Sequence, residues 1–403
     1  MAPEPSGYTC RVAASGTRYE EQRLAVLDGL RGIAILLVLW YHVWEISWLP
    51  APLQALQFLP ETGFIGVHLF FFLSGFVISY PFVRAKIRAT TPPSWRHFAW
   101  RRFIKIVPSY VLSIAVAYAI GYPRAQGPAI PVWQALVAHL LFVHTWFPTI
   151  YGSINGVLWT LAVEVEFYLI FPLLWWCFQR APWLTATAMI ALSLAWRSAM
   201  ASCCYTTLFT TYSENLPGYL GIFACGMIAA WIYCRLGEAY AARRYGGFAP
   251  ILALAGGVFL IVLLQALYAN RFADQWSLVW QIHTRELFGV AFAAVALGAL
   301  WSPTILQRLL ANSLLTFFGV ISYNLYLYHQ MLAREMLWHK FPTYSLRPHG
   351  DPAWQLRYTL LAFALTIAQA ALVTYLFERP LLRLADPPRF GVLIRSWGSA
   401  GNR

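Results

Sequence analysis

Charge is scarce in this sequence. Only 11% of the 403 residues are charged and only 16 are acidic, against 59% that are hydrophobic, where a soluble domain carries about 25% charged residues. That composition excludes a soluble globular protein. Cysteine is sparse too, at six residues, with Cys177, Cys225 and Cys234 in or near apolar runs and Cys203 and Cys204 adjacent. This spacing offers neither a disulfide framework nor a metal-ligand set, so no metal is expected. No repeat of fixed period and no low-complexity linker is visible, which excludes solenoid architectures. The first 24 residues include Pro3, Pro5, Gly7 and Gly16 but no apolar core of a signal peptide, so the first apolar run is expected to stay in the membrane.

What the sequence does have is long apolar runs. Eleven windows lie near 26–45, 64–83, 103–121, 133–147, 157–178, 183–200, 218–235, 249–268, 285–301, 313–337 and 357–377, several of them reaching the 18 or so residues that cross about 30 Å of hydrocarbon. The 133–147 window is short, is bracketed by Pro128, Pro131 and Pro148, and holds His139 and His144. It reads as a re-entrant or surface helix. The expected fold is therefore all-α: a polytopic membrane helix bundle of about ten transmembrane helices plus that extra helix.

The formal charge of +13 is a topology signal, not a nucleic-acid footprint, because Lys and Arg gather in particular segments. Arg11, Arg18 and Arg23 precede the first window, and Arg84, Lys86, Arg88, Arg96, Arg101, Arg102 and Lys105 follow the second. Arg235, Arg243 and Arg244 form a third cluster and Arg379, Arg383, Arg389, Arg395 and Arg403 a fourth. Ten crossings bring all four to the cytoplasmic side with both termini, consistent with a multi-pass membrane protein. The expected division is a cytoplasmic tail over 1–23, a transmembrane domain over 24–378 and a basic cytoplasmic tail over 379–403, with the lipid bilayer as partner and no nucleic acid.

Within the first window, LDGLRGIAILLVLWYHVW at Leu27–Trp44 carries Arg31 and His42. A central Arg costs roughly 2.5–3.5 kcal/mol on insertion scales, so such residues face a bundle interior or a wet cavity. Eleven positions at about 100° each return to within roughly 20° of the same face, about 16 Å along the axis, so one cleft could hold both. The bland alternatives are that Arg31 snorkels to headgroups and that His42 is a hydrogen-bonded packing residue.

Further blocks accompany this one. In chain order they are GVHLFFFLSGFVIS at Gly66–Ser79, RRFIKIVPSY at Arg101–Tyr110, LWTLAVEVEFYLIFP at Leu158–Pro172, ISYNLYLYHQ at Ile321–Gln330 and FERP at Phe377–Pro380. Together with the Arg31–His42 pair, the set resembles the acyltransferase 3 family of integral membrane acyltransferases across nearly the whole chain. The resemblance implies transfer of an acyl group, commonly acetyl, from cytoplasmic acyl-CoA to a hydroxyl of a carbohydrate or other acceptor such as a lipid-linked sugar, by an acyltransferase that moves groups other than amino-acyl groups. Members usually carry Asp where this chain has His68, which offers a second titrating group here. The soluble hydrolase-like domain that many members append is not expected in this sequence.

Acyl transfer from a thioester to an alcohol needs a base, stabilisation of the oxyanion and a grip on the donor's phosphates. His42 suits the first task, and Arg31, nearer the cytoplasm, suits the donor's phosphate or thioester oxygen. Arg101, Arg102 and Lys105 could clamp acyl-CoA, although a basic flank is also what membrane topology alone produces. Glu164 matches the family's acidic position and could orient His42, ligate the acceptor or pair with Arg31, with Tyr168 on its face one turn on; Glu166 reads as a structural partner. Tyr323, Tyr326 and His329 form a stripe for an acceptor sugar or an interhelical polar contact. Glu378-Arg379-Pro380 reads as a helix end. His68 and Ser74 are secondary candidates. Two other functions compete with the glycan reading: acylation of a small-molecule or macrolide-type acceptor, and proton-coupled secondary transport. The second predicts paired broken helices, and no matched pair is visible.

Overall fold

The computed structural model describes residues 8–121, 130–204, 211–237, 247–271, 282–302, 305–344 and 348–385, with side chains from residue 25 to residue 384. Pro128, Arg243, Arg244, Arg389, Arg395, Arg403 and the side chains of Arg11, Arg18 and Arg23 lie outside these. Among the described residues every regular element is helical, as the run of apolar windows requires when backbone groups have no water to bond.

The elements in chain order are α1 (Tyr8–Ser47), α2 (Phe58–Thr62), α3 (Ile65–Ile87), α4 (Trp95–Ala119), α5 (Val132–Leu140), α6 (Trp159–Phe178) and α7 (Pro182–Cys203). They continue as α8 (Leu216–Leu236), α9 (Ala249–Asn270), α10 (Arg285–Trp301), α11 (Ile305–Leu310), α12 (Ser313–Trp338), α13 (Pro352–Val373) and α14 (Arg379–Ala385). Among the described residues, eight segments are long and apolar enough to cross a membrane: those in α1, α3, α4, α6, α7, α8, α9 and the continuous run Pro352–Leu384. Of the other two windows, α10 has 17 residues, while α12 has 26 but carries Asn324, His329, Gln330, Arg334 and Glu335. The nine-residue α5 is about 14 Å long and cannot cross.

Burial separates an inner ring from an outer one. The apolar windows of α3 and α8 are 78% and 72% buried, those of α7 and α9 only 22% and 28%. Leu184, Leu192, Ile251, Leu254 and Val262 of the latter two point outward, as lipid-facing residues should. Helix α1 packs most extensively on α12 and also on α3, and α3 packs on α8. Small residues make these contacts possible. A Cβ on Gly319 of α12 would stand 2.1 Å from the Asp28 carbonyl oxygen of α1, and one on Gly226 of α8 would stand 2.1 Å from the Phe72 oxygen of α3.

Several boundaries differ from the sequence expectation, each for a local reason. Helix α4 starts at Trp95, eight residues before its apolar window, because Ser94 caps it by accepting from the His97 N–H; Arg96, Arg101, Arg102 and Lys105 thus ride on a helix. The expected stop at Pro380 does not occur. The chain passes through a π-helical turn, Thr374–Glu378, into α14, and a widened turn of this kind accommodates the N–H that proline lacks. The expected tail before residue 24 is helical backbone from Tyr8 onward. Cys203 ends α7 and is bonded to the adjacent Cys204, a disulfide the spacing did not suggest.

Candidate active site

Helices α1, α3, α4, α6 and α12 surround a cavity of about 100 Å³. Arg31, Arg102, Lys105, Glu164, Tyr168, Tyr323 and Tyr326 line it, joined by Ser74 and Thr160. Seven of the sequence-predicted site residues, from α1, α4, α6 and α12, therefore meet at one place. Each helix contributes by its own period: on α3, residues 67, 70, 71 and 74 line the cavity, the i, i+3, i+4, i+7 face of a helix.

Cations dominate one end. Arg31 reaches the cavity with its Nε buried and without a hydrogen-bond partner among the described residues. Arg102 lies over the Tyr168 ring, 5.4 Å from its centroid, and Lys105 over the Tyr323 ring at 5.4 Å. Lys105 also forms an ion pair with Glu378, whose side chain is 3% exposed, and Asn324 Nδ2 donates to the other carboxylate oxygen at 2.7 Å. A buried guanidinium nitrogen with bonding capacity to spare, beside two further cations, suits an anion or a polarised carbonyl oxygen.

Of the roles expected for Glu164, neither a bond to His42 nor a pairing with Arg31 is formed among the described residues. Glu164 Oε1 accepts from Ser74 Oγ at 2.6 Å and from the Tyr168 hydroxyl. The Ser74 bond ties α6 to α3, and the carboxylate faces the cavity. Glu166 accepts from Trp146 Nε1 at 2.6 Å, the structural partnership expected of it. Tyr323 uses its hydroxyl to donate to the Ile106 carbonyl at 2.7 Å, so it is its ring that faces the cavity, rather than a free hydroxyl for a sugar.

His42 lies one ring beyond the lining. Tyr326 closes that end of the cavity, its ring 5.6 Å from that of His329, which lies 4.8 Å from that of His42. His329 is completely buried. Its Nδ1 lies 2.8 Å from the Tyr326 carbonyl oxygen and 3.1 Å from that of Leu325, and its Nε2 lies 3.1 Å from His42 Nδ1. His42 Nδ1 is also 3.0 Å from the Val38 oxygen. Arg31 and His42 thus share a helix face as expected, but the cavity lining includes only Arg31.

Two candidates fall elsewhere. His68 is on the side of α3 turned toward α8 and α10, packed edge-on against Tyr219 at 5.4 Å and near Phe288 at 6.2 Å; six positions separate it from Ser74, which turns it onto another face. It cannot serve as a substrate-binding group of this cavity. Arg101 is exposed on α4 while Arg102 and Lys105 line the cavity. Ser74, a secondary candidate in the sequence, lines the cavity, and Glu378, read as part of a helix end, pairs with Lys105 beside it.

A family described as an acyltransferase domain matches residues 24–377. The chain belongs to that family. It is 29% identical over 388 residues to acyltransferase MdmB of Streptomyces mycarofaciens, spanning 90% of this chain and 92% of that one. It is 24% identical over 348 residues to the peptidoglycan O-acetyltransferase OatA of Listeria monocytogenes serovar 1/2a, spanning 78% of this chain and 50% of that one. The O-acetyltransferase OatA of Staphylococcus aureus is 28% identical over 167 residues, 38% of this chain and 25% of that one. The chain therefore spans about half the length of the Listeria relative. No solved structure matches. This member of the acyltransferase 3 family is a multi-pass membrane enzyme, and the secondary-transporter alternative falls away.

Proposed function

We propose that this enzyme transfers an acyl group, acetyl being the simplest case, from acyl-CoA to a hydroxyl of a carbohydrate or lipid-linked sugar of the bacterial cell envelope. The observation that carries this is the cavity in which Arg31, Arg102 and Lys105 converge, a donor set suited to the phosphates of acyl-CoA. The relative named as a peptidoglycan O-acetyltransferase supports a glycan acceptor. With the basic end cytoplasmic and both termini inside, the donor enters from the cytoplasm and the acceptor meets it near His42.

In this scheme His42 is the general base. The acceptor oxygen bonds to the thioester carbonyl carbon as His42 takes its proton, the carbon–sulfur bond breaks, and the thiolate recovers the proton from the imidazole. Arg31 neutralises charge on the donor. Glu164, held by Ser74 and Tyr168, orients acceptor hydroxyls.

The test is transfer from labelled acetyl-CoA by the full chain in lipid vesicles, with peptidoglycan fragments, a lipid-linked sugar and a small-molecule alcohol as separate acceptors. The expected result is transfer to a carbohydrate arm that drops by about 10²–10⁴-fold in His42→Ala, while Arg31→Ala chiefly raises KM for acetyl-CoA. Transfer to the small alcohol alone overturns the acceptor class. Wild-type rates in His42→Ala remove it as the base.

A further inference from the structure

The histidine pair beyond the cavity carries more than an adjacency. Each ring nitrogen in it has a specified neighbour except His42 Nε2, and the neighbours determine where the protons lie. A bare ring nitrogen is an acceptor and repels a carbonyl oxygen, whereas a protonated one donates to it. His329 Nδ1 sits against two carbonyl oxygens, at 2.8 and 3.1 Å, so it carries a proton. His42 Nδ1 sits 3.0 Å from the Val38 oxygen, so it carries one as well. Two protons cannot both occupy the 3.1 Å gap between His42 Nδ1 and His329 Nε2. His329 Nε2 must therefore be bare, accepting from His42 Nδ1–H. The tautomers follow from the network, and they leave one unprotonated nitrogen on His42, its Nε2.

We propose that His329 is a positioning residue: its Nε2 accepts the His42 Nδ1 proton, fixes the orientation of that ring, and leaves His42 Nε2 as the basic atom that meets the acceptor hydroxyl. This rests on the reading of His42 as the base. It replaces the substrate-binding role that the sequence suggested for His329, whose complete burial leaves no surface for a sugar. The proton balance is simple. When Nε2 takes the hydroxyl proton the imidazole becomes a cation, its Nδ1–H still donating to His329 Nε2 and sharing the charge with a neutral, polarisable ring; when Nε2 releases its proton to the departing thiolate the starting tautomer returns. The Nδ1 proton never moves. A carboxylate would do the same task, but inside an apolar bundle a neutral acceptor avoids burying a second charge.

The test has a spectroscopic arm and a kinetic arm on the full chain in lipid. Nitrogen-15 magnetic resonance of histidine-labelled protein should show His42 protonated at Nδ1 and bare at Nε2, with a through-bond coupling from His42 Nδ1 to His329 Nε2. Kinetically, His329→Leu, which cannot accept, should lose about 10–10²-fold in kcat with KM for acyl-CoA and acceptor unchanged. His329→Gln, which keeps an acceptor near that point, should recover most of the loss. His42 found protonated at Nε2, or His329→Leu with unaltered kcat, or an effect confined to acceptor KM, overturns the proposal. Should His329→Leu not fold, the wild-type resonances and the Gln variant still decide. A fully active His42→Ala alongside an intact coupling would instead refute the base assignment while the hydrogen bond itself stands.

Discussion

Lys105 of α4 and Glu378 of the π-helical turn, 273 positions apart, meet in an ion pair beside the cavity. The carboxylate is 3% exposed and the ammonium 30%, and Asn324 completes the carboxylate's bonding. Removing one partner of a fully buried pair costs about 3–5 kcal/mol, whereas replacing both by apolar groups is often neutral. Glu378→Gln should therefore destabilise the protein by on the order of 2 kcal/mol, discounted for the exposure of Lys105. Lys105→Met combined with Glu378→Leu should regain most of that stability yet bind acyl-CoA weakly. Thermal unfolding in detergent and donor titration separate the two effects, and a double variant as unstable as Glu378→Gln would show that the pair is not the cause.

Ser74, Glu164 and Tyr168 act as one unit because both hydroxyls donate to the same carboxylate oxygen. Glu164→Gln is expected to lower kcat by roughly 10²-fold and Ser74→Ala by roughly 10-fold. Residues in one network do not add, so Ser74→Ala in the Glu164→Gln background should cost almost nothing further. Additive losses would assign Ser74 a separate task.

The α1–α12 contact depends on Gly319, whose added Cβ would collide with the Asp28 backbone oxygen at 2.1 Å. Backbone cannot yield as a flexible side chain can, so Gly319→Ala should push the two helices apart and cost more than 3 kcal/mol, in the range of severe core changes. Gly257→Ala, where nothing lies within 4 Å, should be neutral or slightly stabilising through helix propensity. Melting temperatures of the two variants side by side make the comparison.

Outside the spanning helices, His139 and His144 stack with centroids 3.9 Å apart. Burial lowers His139 to about 4, and burial together with its neighbour lowers His144 to about 2, from 6.5 when unfolded. Between those values the unfolded chain binds more protons than the folded one, so stability is complete above pH 6.5 and falls as pH drops toward 4. Replacing both with Phe should flatten the decline of melting temperature across pH 6.5–4. An equally steep decline in the double variant would place the acid sensitivity elsewhere.

The parts legible in the sequence were those that depend on one helix at a time. The Arg31–His42 spacing, the length of the windows and the shortness of 133–147 follow from helical rise and period, and the structure keeps all three. What depends on two helices was hidden. Glu378 looked like a terminus because its burial arises from the π-helical turn and from Lys105 on α4. Ser74 was only a secondary candidate because a serine in an apolar helix usually bonds its own backbone, as Ser79 does with Gly75, and its bond to Glu164 on α6 depends on a second helix. His68 was misjudged because its neighbours at 67, 70, 71 and 74 all face the cavity, and only the phase of α3 against α8 reveals that 68 does not.

Arg31 and His42 ride on one helix that runs from Tyr8 to Ser47 with no proline inside it. In the proposed scheme, with Arg31 holding the donor and His42 as the base, their separation is a gauge about 16 Å long, set by backbone geometry and insensitive to motions of the surrounding helices. A substrate whose reactive carbon hangs at a different distance from its anchored phosphates would present that carbon above or below the imidazole, so the rod that holds the cofactor-like donor also measures it.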